Sequence, residues 1–280
     1  MKDHSSARRH FLIPDLQVRK DEPTDHIDWI AQAIVDYAPD VVIDIGDHWD
    51  MLSMSSYDKP GSKRMEGARY EEDIDAGNEA MERLSAPMDR EIHRQRRNKH
   101  RWKPKRHFLF GNHENRVQRA LDSEPKLTGC IGLHHMRTNG WKRHDFLENV
   151  WIDGIVYAHY FQSSHSSYAI GGSIDNRLSK IGESFVQGHQ QGMLYGSKIF
   201  PSGKTRHGLV AGSCYLHRED YRGNQGQKHW RGVVVLNEVR NGDYCIMPLT
   251  LSYLCRRYEK LELIDYMRKK YKHNDWSHLA

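Results

Sequence analysis

An α/β fold built around a parallel sheet follows from three features of this 280-residue chain. Two short apolar runs, "RRHFLIPD" (8–15) and "DVVIDIGD" (40–47), flank a segment with helical spacing, and a third run, "RHFLFGNHE" (106–114), repeats the pattern of apolar run, Gly, then polar groups. Strand, helix, strand in that order is the βαβ unit. In "PTDHIDWIAQAIVDYAPD" the residues Ile27, Ile30, Ile34 and Ala38 share one helical face, with Thr24 placed to cap the start and Pro39 beyond the end. The continuous, β-branched run in "DVVIDIGD" suits a parallel strand buried on both faces.

After residue 145 the chain reads mostly as strands: "NVWIDGIVYAHY", "ESFVQGHQQG", "RHGLVAGSCY" and "RGVVVLNEVRNGDYCIMPLTL". In the last, Asn241-Gly242 between two apolar runs is a hairpin signal. "RRYEKLELIDYMRKKYK" reads as one closing basic amphipathic helix. No repeat or low-complexity linker divides the chain. The expectation is one domain over 1–280, with a basic helical insertion at 55–105, a decoration at about 121–145 and a C-terminal helical extension at 250–280.

Composition places the chain among ordinary folded proteins: 38% hydrophobic residues plus 22 Gly. No apolar stretch approaches the roughly 18 residues of a membrane span, and the apolar run near the N-terminus is too short for a signal peptide. Cys130, Cys214, Cys245 and Cys255 contain no CxxC pair, so a zinc ribbon is excluded, and reduced thiols in the cytoplasm are expected. Net charge is only +5, yet nine of the 17 residues in "REIHRQRRNKHRWKPKR" (90–106) are Lys or Arg. Such a stretch favours phosphate-bearing partners, DNA or RNA included, unless it is a solvated helix face. No sequence feature sets an oligomeric state.

Polar groups collect where each strand ends. Strand one ends in Asp15 and Gln17, strand two in "GDHWD" with Asp47 and Asp50, and strand three in "GNHE" with Asn112, His113 and Glu114. Later strands end in "YAHY", with His159, and in "GHQQG", with His189 and Gln191. Open α/β sheets bind ligands at these carboxyl ends, and this donor mix suits divalent Mn, Mg, Fe or Zn. The series "DLQ", "GDHWD", "GNHE", "AHY", "GHQQ" resembles, in order, the motifs of the calcineurin-like metallophosphoesterases: D-x-H, G-D-x-x-D, G-N-H-[ED], a lone His, and G-H-x-H. The resemblance implies a β-sandwich flanked by helices, with the insert as a lid or wall beside the metal centre. Asp47 would bridge two metals, Asn112, His159 and His189 would complete one site, and Asp15, Gln17 and Gln191 the other. Gln17 and Gln191 stand where the family has His, so the second site should prefer Mn or Mg over Zn, and one or two metals per chain are expected. Some manganese-dependent relatives also carry D-x-Q at the first motif.

The mechanism so implied is hydrolysis by a metal-activated hydroxide, with His113 protonating the leaving oxygen and Asp50 orienting His113. Arg116 is a candidate phosphate clamp. Other residues have plainer readings: His48 pointing away, His134 and His135 in an exposed loop, His93, His100 and His107 solvated. His207, His217 and His229 are possible substitutes for the missing fifth-motif His. Trp102, Trp141, Trp151 and Tyr160 could stack bases or simply pack. The leading expectation is a phosphodiesterase acting on nucleic acid or nucleotides. A phosphomonoesterase is the alternative enzyme, and a catalytically lapsed metal- or nucleic-acid-binding module is the non-enzymatic one.

Overall fold

In the computed structural model, which describes residues 6–56, 62, 65–219, 223 and 226–279, the chain is mixed α/β. Six α-helices accompany two mixed sheets among these residues. The first sheet has the order β11-β10-β1-β2-β3-β4, from β1 (Arg8–Ile13), β2 (Val41–Asp44), β3 (Lys105–Leu109), β4 (Lys142–His144), β10 (Gly232–Arg240) and β11 (Asp243–Thr250). The second has the order β5-β6-β7-β9-β8, from β5 (Val150–Ile152), β6 (Ile155–Ala158), β7 (Phe185–Gln187), β8 (Met193–Ile199) and β9 (Thr205–Ala211). Strands β1, β2, β3 and β4 run parallel, as do β6, β7 and β9.

The two faces of β1–β3 explain why these strands read as unbroken apolar runs. Leu12, Val41, Ile43 and Leu109 pack toward Ile155, Tyr157, Val186 and Leu209 of the second sheet. The alternate residues Phe11, Ile13, Val42 and Phe108 face helices α1 (Asp25–Tyr37), α2 (Tyr70–Arg94), α5 (Leu251–Glu259) and α6 (Leu263–Lys270). Beyond the second sheet, Val156, Ala158 and Phe185 pack on Leu178 of α4 (Ile174–Ile181). The remaining helix, α3 (Asn115–Ser123), follows "GNHE". The Asn241-Gly242 hairpin is present between β10 and β11, with φ 54° and 84° as a type I′ turn requires.

Several local expectations are corrected. Thr24 precedes α1 but does not cap it; its hydroxyl accepts from Arg83 of α2 (2.7 Å). Strands β4 and β8 carry no readable alternation, because "KRH" has no apolar residue and β8 leaves Leu194, Tyr195 and Ile199 exposed. The closing helix is two, broken where Lys260 adopts the left-handed conformation (φ 60°). His107 is half-buried on β3, 3.0 Å from His144, rather than solvated.

The insertion needs the largest correction. Its helix α2 is acidic at its start and packs Ile74, Met81, Leu84 and Met88 into the layer beside α1, so it is core rather than lid. The helix ends at Arg94, and the basic stretch 90–106 continues as turn and coil before β3. Trp102 donates to Pro39 O (2.7 Å) and the Lys105 N–H to Asp40 O (2.9 Å), both just before β2 begins. The basic stretch therefore lies at the amino ends of β2 and β3, a strand length away from Asp47 and Asn112. It does not overhang them. Among the described residues no helix is long and apolar enough to cross a membrane.

His26 on α1 generates a testable consequence. It is buried, neither ring nitrogen has a hydrogen-bond partner among the described residues, and burial pushes its pKa down to about 3. The unfolded chain, with His near 6.5, binds this proton more readily than the folded one. The folded state therefore loses stability as pH falls from about 6.5 toward 3. His26→Leu should flatten that part of the acid-unfolding curve, as read by urea titrations at pH 7 and pH 4.5. An unchanged difference between the two pH values would refute the assignment.

Candidate metal centre

Five parallel strands deliver one polar residue each to the same edge of the molecule: Asp15 after β1, Asp47 after β2, Asn112 after β3, His159 after β6 and His189 after β7. Gly111 and Gly188 allow this convergence. A Cβ on Gly111 would sit 2.2 Å from Asp47 Oδ1, and one on Gly188 would sit 2.7 Å from Asp15 Oδ1. Gln17, Asp47 and His189 have φ of 43°, 54° and 65°, a left-handed conformation that non-glycine residues adopt at a cost of order 1–3 kcal/mol. Three such residues at one edge mark a place where side-chain direction outranks backbone comfort.

Asp47 is the centre of the arrangement. Its Oδ1 accepts from the His113 N–H (2.9 Å), and its Oδ2 lies 3.3 Å from His159 Nε2 and 3.8 Å from His113 Nε2. Asn112 Oδ1 accepts from His159 Nε2 (2.9 Å) and His189 Nδ1 (2.7 Å). His159 Nδ1–H donates to Ile45 O (2.9 Å), which fixes the ring so that Nε2 faces Asp47. Ligand atoms of Asp47, His159 and His189 all lie within 4.8 Å of one another, a group that could hold a metal ion.

On the other side, Asp15 is fully buried; its Oδ1 accepts from the His189 N–H (3.1 Å), and its Oδ2 has no partner among the described residues. Gln17 Oε1 is likewise buried without a partner among the described residues. Gln191 is buried nearby, its backbone carbonyl accepting from Ser213 Oγ (3.4 Å). Two buried oxygens without donors are costly in a folded protein. A divalent cation held by Asp15 and Gln17 would satisfy both, so the residues fit such an ion.

The electrostatics point the same way. Burial, then the Asp47 charge, push Asp15 up to about 7. Burial opposes charge on His159, but Asp47 outweighs it and raises the imidazole to about 9. A protonated His159 places one positive charge among Asp15, Asp47 and Glu114, where a divalent cation would place two. Asp47 itself stays well below the ordinary carboxylate range, because His113 and His159 outweigh its burial.

Beside the cluster, His113 Nδ1 lies 2.8 Å from Asp50 Oδ1. Asp50 Oδ2 accepts from Arg19 Nε (2.5 Å), and Arg19 Nη2 donates to Glu219 Oε1 (2.5 Å), which also bonds His217 (3.0 Å). Arg116 is buried; its Nη1 donates to Asp50 O (2.9 Å) and Met51 O (3.2 Å), and its Nη2 lies 3.1 Å from His113 Nε2. Its guanidinium is thus turned to the His113–Asp50 pair. Glu114 accepts three backbone hydrogen bonds, from Asp47 N (3.0 Å) and Gly111 N (2.8 Å) at Oε2 and from Trp49 N (3.0 Å) at Oε1. Sequence reasoning gave no role to Glu114, Arg19 or Glu219. The Glu of "GNHE" was the one readable signal, whereas Glu219 is 200 residues from Arg19.

The remaining histidines stay outside the cluster. His48 turns to Asp44 (3.0 Å) and Gly77 O (3.1 Å), as its strand-end position suggests. His207 pairs with Asp243 and Tyr195, and His229 with Gly226 O, so neither supplies the missing fifth-motif His. His217 is occupied with Glu219. His135 bonds Tyr70 OH (2.9 Å). Trp141 is core, Trp102 docks on Pro39, Trp151 is exposed on β5, and Tyr160 stands beside His189 with ring centres 4.8 Å apart. A scan against protein-family models gave no match, and neither did a search of curated proteins.

Glu114→Ala would leave three buried N–H groups without acceptors, and should lower unfolding free energy on the order of 3–5 kcal/mol in urea titrations. A loss below about 1 kcal/mol would show that the Glu114 bonds do not hold the loops.

Proposed function

We propose that the chain is a metal-dependent phosphoesterase of the calcineurin-like superfamily, hydrolysing phosphodiesters. The observation that carries the reading is the meeting of Asp15, Asp47, Asn112, His159 and His189 from five strand ends, with the His113–Asp50 pair beside them. The order of the motifs along the chain supports the same family, and two face-packed sheets between helices accord with its sandwich.

Asp47, Asn112, His159 and His189 would hold one ion, and Asp15, Gln17 and Gln191, with Asp47, the other. The amide oxygens of Gln17 and Gln191 favour Mn or Mg over Zn on that side. Divalent ions bound there would polarise a phosphoryl oxygen and acidify water.

The chain supplies the proton for the leaving oxygen. Burial disfavours charge on His113, but Asp47 and Asp50 outweigh it and hold its pKa above the ordinary value. In its charged form His113 would carry the proton to be given at Nε2 while Nδ1–H donates to Asp50. Once Nε2 gives that proton up, it can accept from Arg116 Nη2, 3.1 Å away, which favours the imidazole left behind. Arg116 is on this account a positioning residue rather than a phosphate clamp. Arg19 and Glu219 fix Asp50 from the far side. The basic stretch 90–106 lies at the wrong end of the strands to guide a substrate here, so the proposed substrate is a small phosphodiester rather than a polymer gripped by that stretch.

His113→Ala should lower kcat for bis-p-nitrophenyl phosphate with Mn by about 10²–10⁴, while Mn binding by calorimetry persists. An inactive wild type with every divalent metal, or an unchanged rate in the variant, would sink the reading.

A further inference from the structure

A cleft of about 410 Å³ opens directly beside the cluster, with Asn112 and His189 forming one end of it. Its volume lies in the usual range for a small ligand. The other walls are chemically distinctive: the rings of Phe146, Tyr160 and Tyr168, with Asn115 and Arg119 from α3. Tyr160 packs edge-on to Phe146 (78°, 5.6 Å) and tilts against His189, so its ring is braced at the metal side. Tyr168 lines the same cleft from the loop 163–169, whose ends are joined by the Gln162–Ala169 bridge and the Ile170 N–H donating to Phe161 O (2.7 Å). Tyr168 is 83% exposed and makes no ring contact among the described residues. An aromatic side chain held out on a tethered loop beside a metal cluster is placed for a partner ring. Arg119 is exposed on α3 and has no ion pair among the described residues, while Asn115 offers both a donor and an acceptor.

We propose that this cleft is a nucleobase subsite: a nucleotide whose phosphate sits at Asp47, Asn112 and His189 lays its base between Tyr160 and Tyr168, with Asn115 at the base edge and Arg119 beside a further phosphate. The proposal rests on the phosphoesterase reading for where the phosphate sits, and names the substrate class as nucleoside phosphodiesters. An alkyl group would use the rings but not the polar edge of Asn115. A bare phosphate would use neither.

Calorimetric titration of the Mn-loaded protein with AMP and with ribose 5-phosphate tests it, because the two share the phosphate and the sugar and differ in the base. Stacking predicts that AMP binds roughly ten- to a hundredfold more tightly. Tyr160→Ala and Tyr168→Ala should bring the two affinities together, and Tyr168→Phe should keep them apart. Tyr168 is too exposed for its truncation to unfold the chain. Equal affinities in the wild type, an unchanged ratio in both alanine variants, or no binding of either ligand would overturn the subsite. Base preference without hydrolysis of any diester would leave the subsite standing and remove the catalytic reading. Hydrolysis without base preference would do the reverse.

Discussion

Asp47 is held from four directions, and the edges of both sheets are registered through it. Its N–H donates to Glu114, its carbonyl accepts from the Gln17 N–H (2.8 Å), its Oδ1 accepts from the His113 N–H, and its Oδ2 meets His159 from the second sheet. Together these contacts leave the carboxylate one direction to face. The left-handed backbone at Asp47 is the strain that this over-determination supports. Without that fixed carboxylate, the strand ends of the first sheet would have no common target with His159 and His189 of the second.

Burial then turns geometry into chemistry. Asp15, Asp47 and Glu114 are fully buried near one another, and such a grouping resists ionisation unless cations stand close. Asp15 and Glu114 are both pushed up to about 7 by burial and by the Asp47 charge, while Asp47 stays ionised against His113 and His159. A site of this kind gains from a divalent cation more than a solvent-exposed cluster of acids would. The chain of His217, Glu219, Arg19 and Asp50 behind His113 serves a different end. It is far from the unpaired oxygens of Asp15 and Gln17 in bonding terms, and it fixes the ring rather than binding an ion.

The parts of this arrangement that the sequence made readable are those with short-range signals. Strands β1–β3 are buried on both faces, so their apolar runs are unbroken, and each ends in Gly or Pro followed by a polar residue, which made Asp15, Asp47 and Asn112 readable; His189 follows Gly188 in the same way after β7, whereas His159 follows Ala158 and was readable only from its place at the end of β6. The supports were unreadable because they are long-range. Glu219 reaches Arg19 across 200 residues, and Glu114 acts on backbone groups of another loop. The basic stretch misled for a related reason: charge composition names a class of partner, but only the docking of Trp102 on Pro39 says at which end of the sheet the charge lies. Strand β8, with its exposed Leu194 and Ile199, shows that an edge strand can form by pairing alone, without the alternation that burial imposes.

The central claim is that Asp47 joins two ion sites, one of them completed by glutamine. Elemental analysis after dialysis against Mn, on the wild type, Gln17→Ala and Asp47→Asn, tests it most directly. The account predicts two Mn per wild-type chain, one in Gln17→Ala and fewer than one in Asp47→Asn, with all three chains folded by circular dichroism. A wild type that holds no Mn, or an Asp47→Asn chain that holds as much as the wild type, would contradict it.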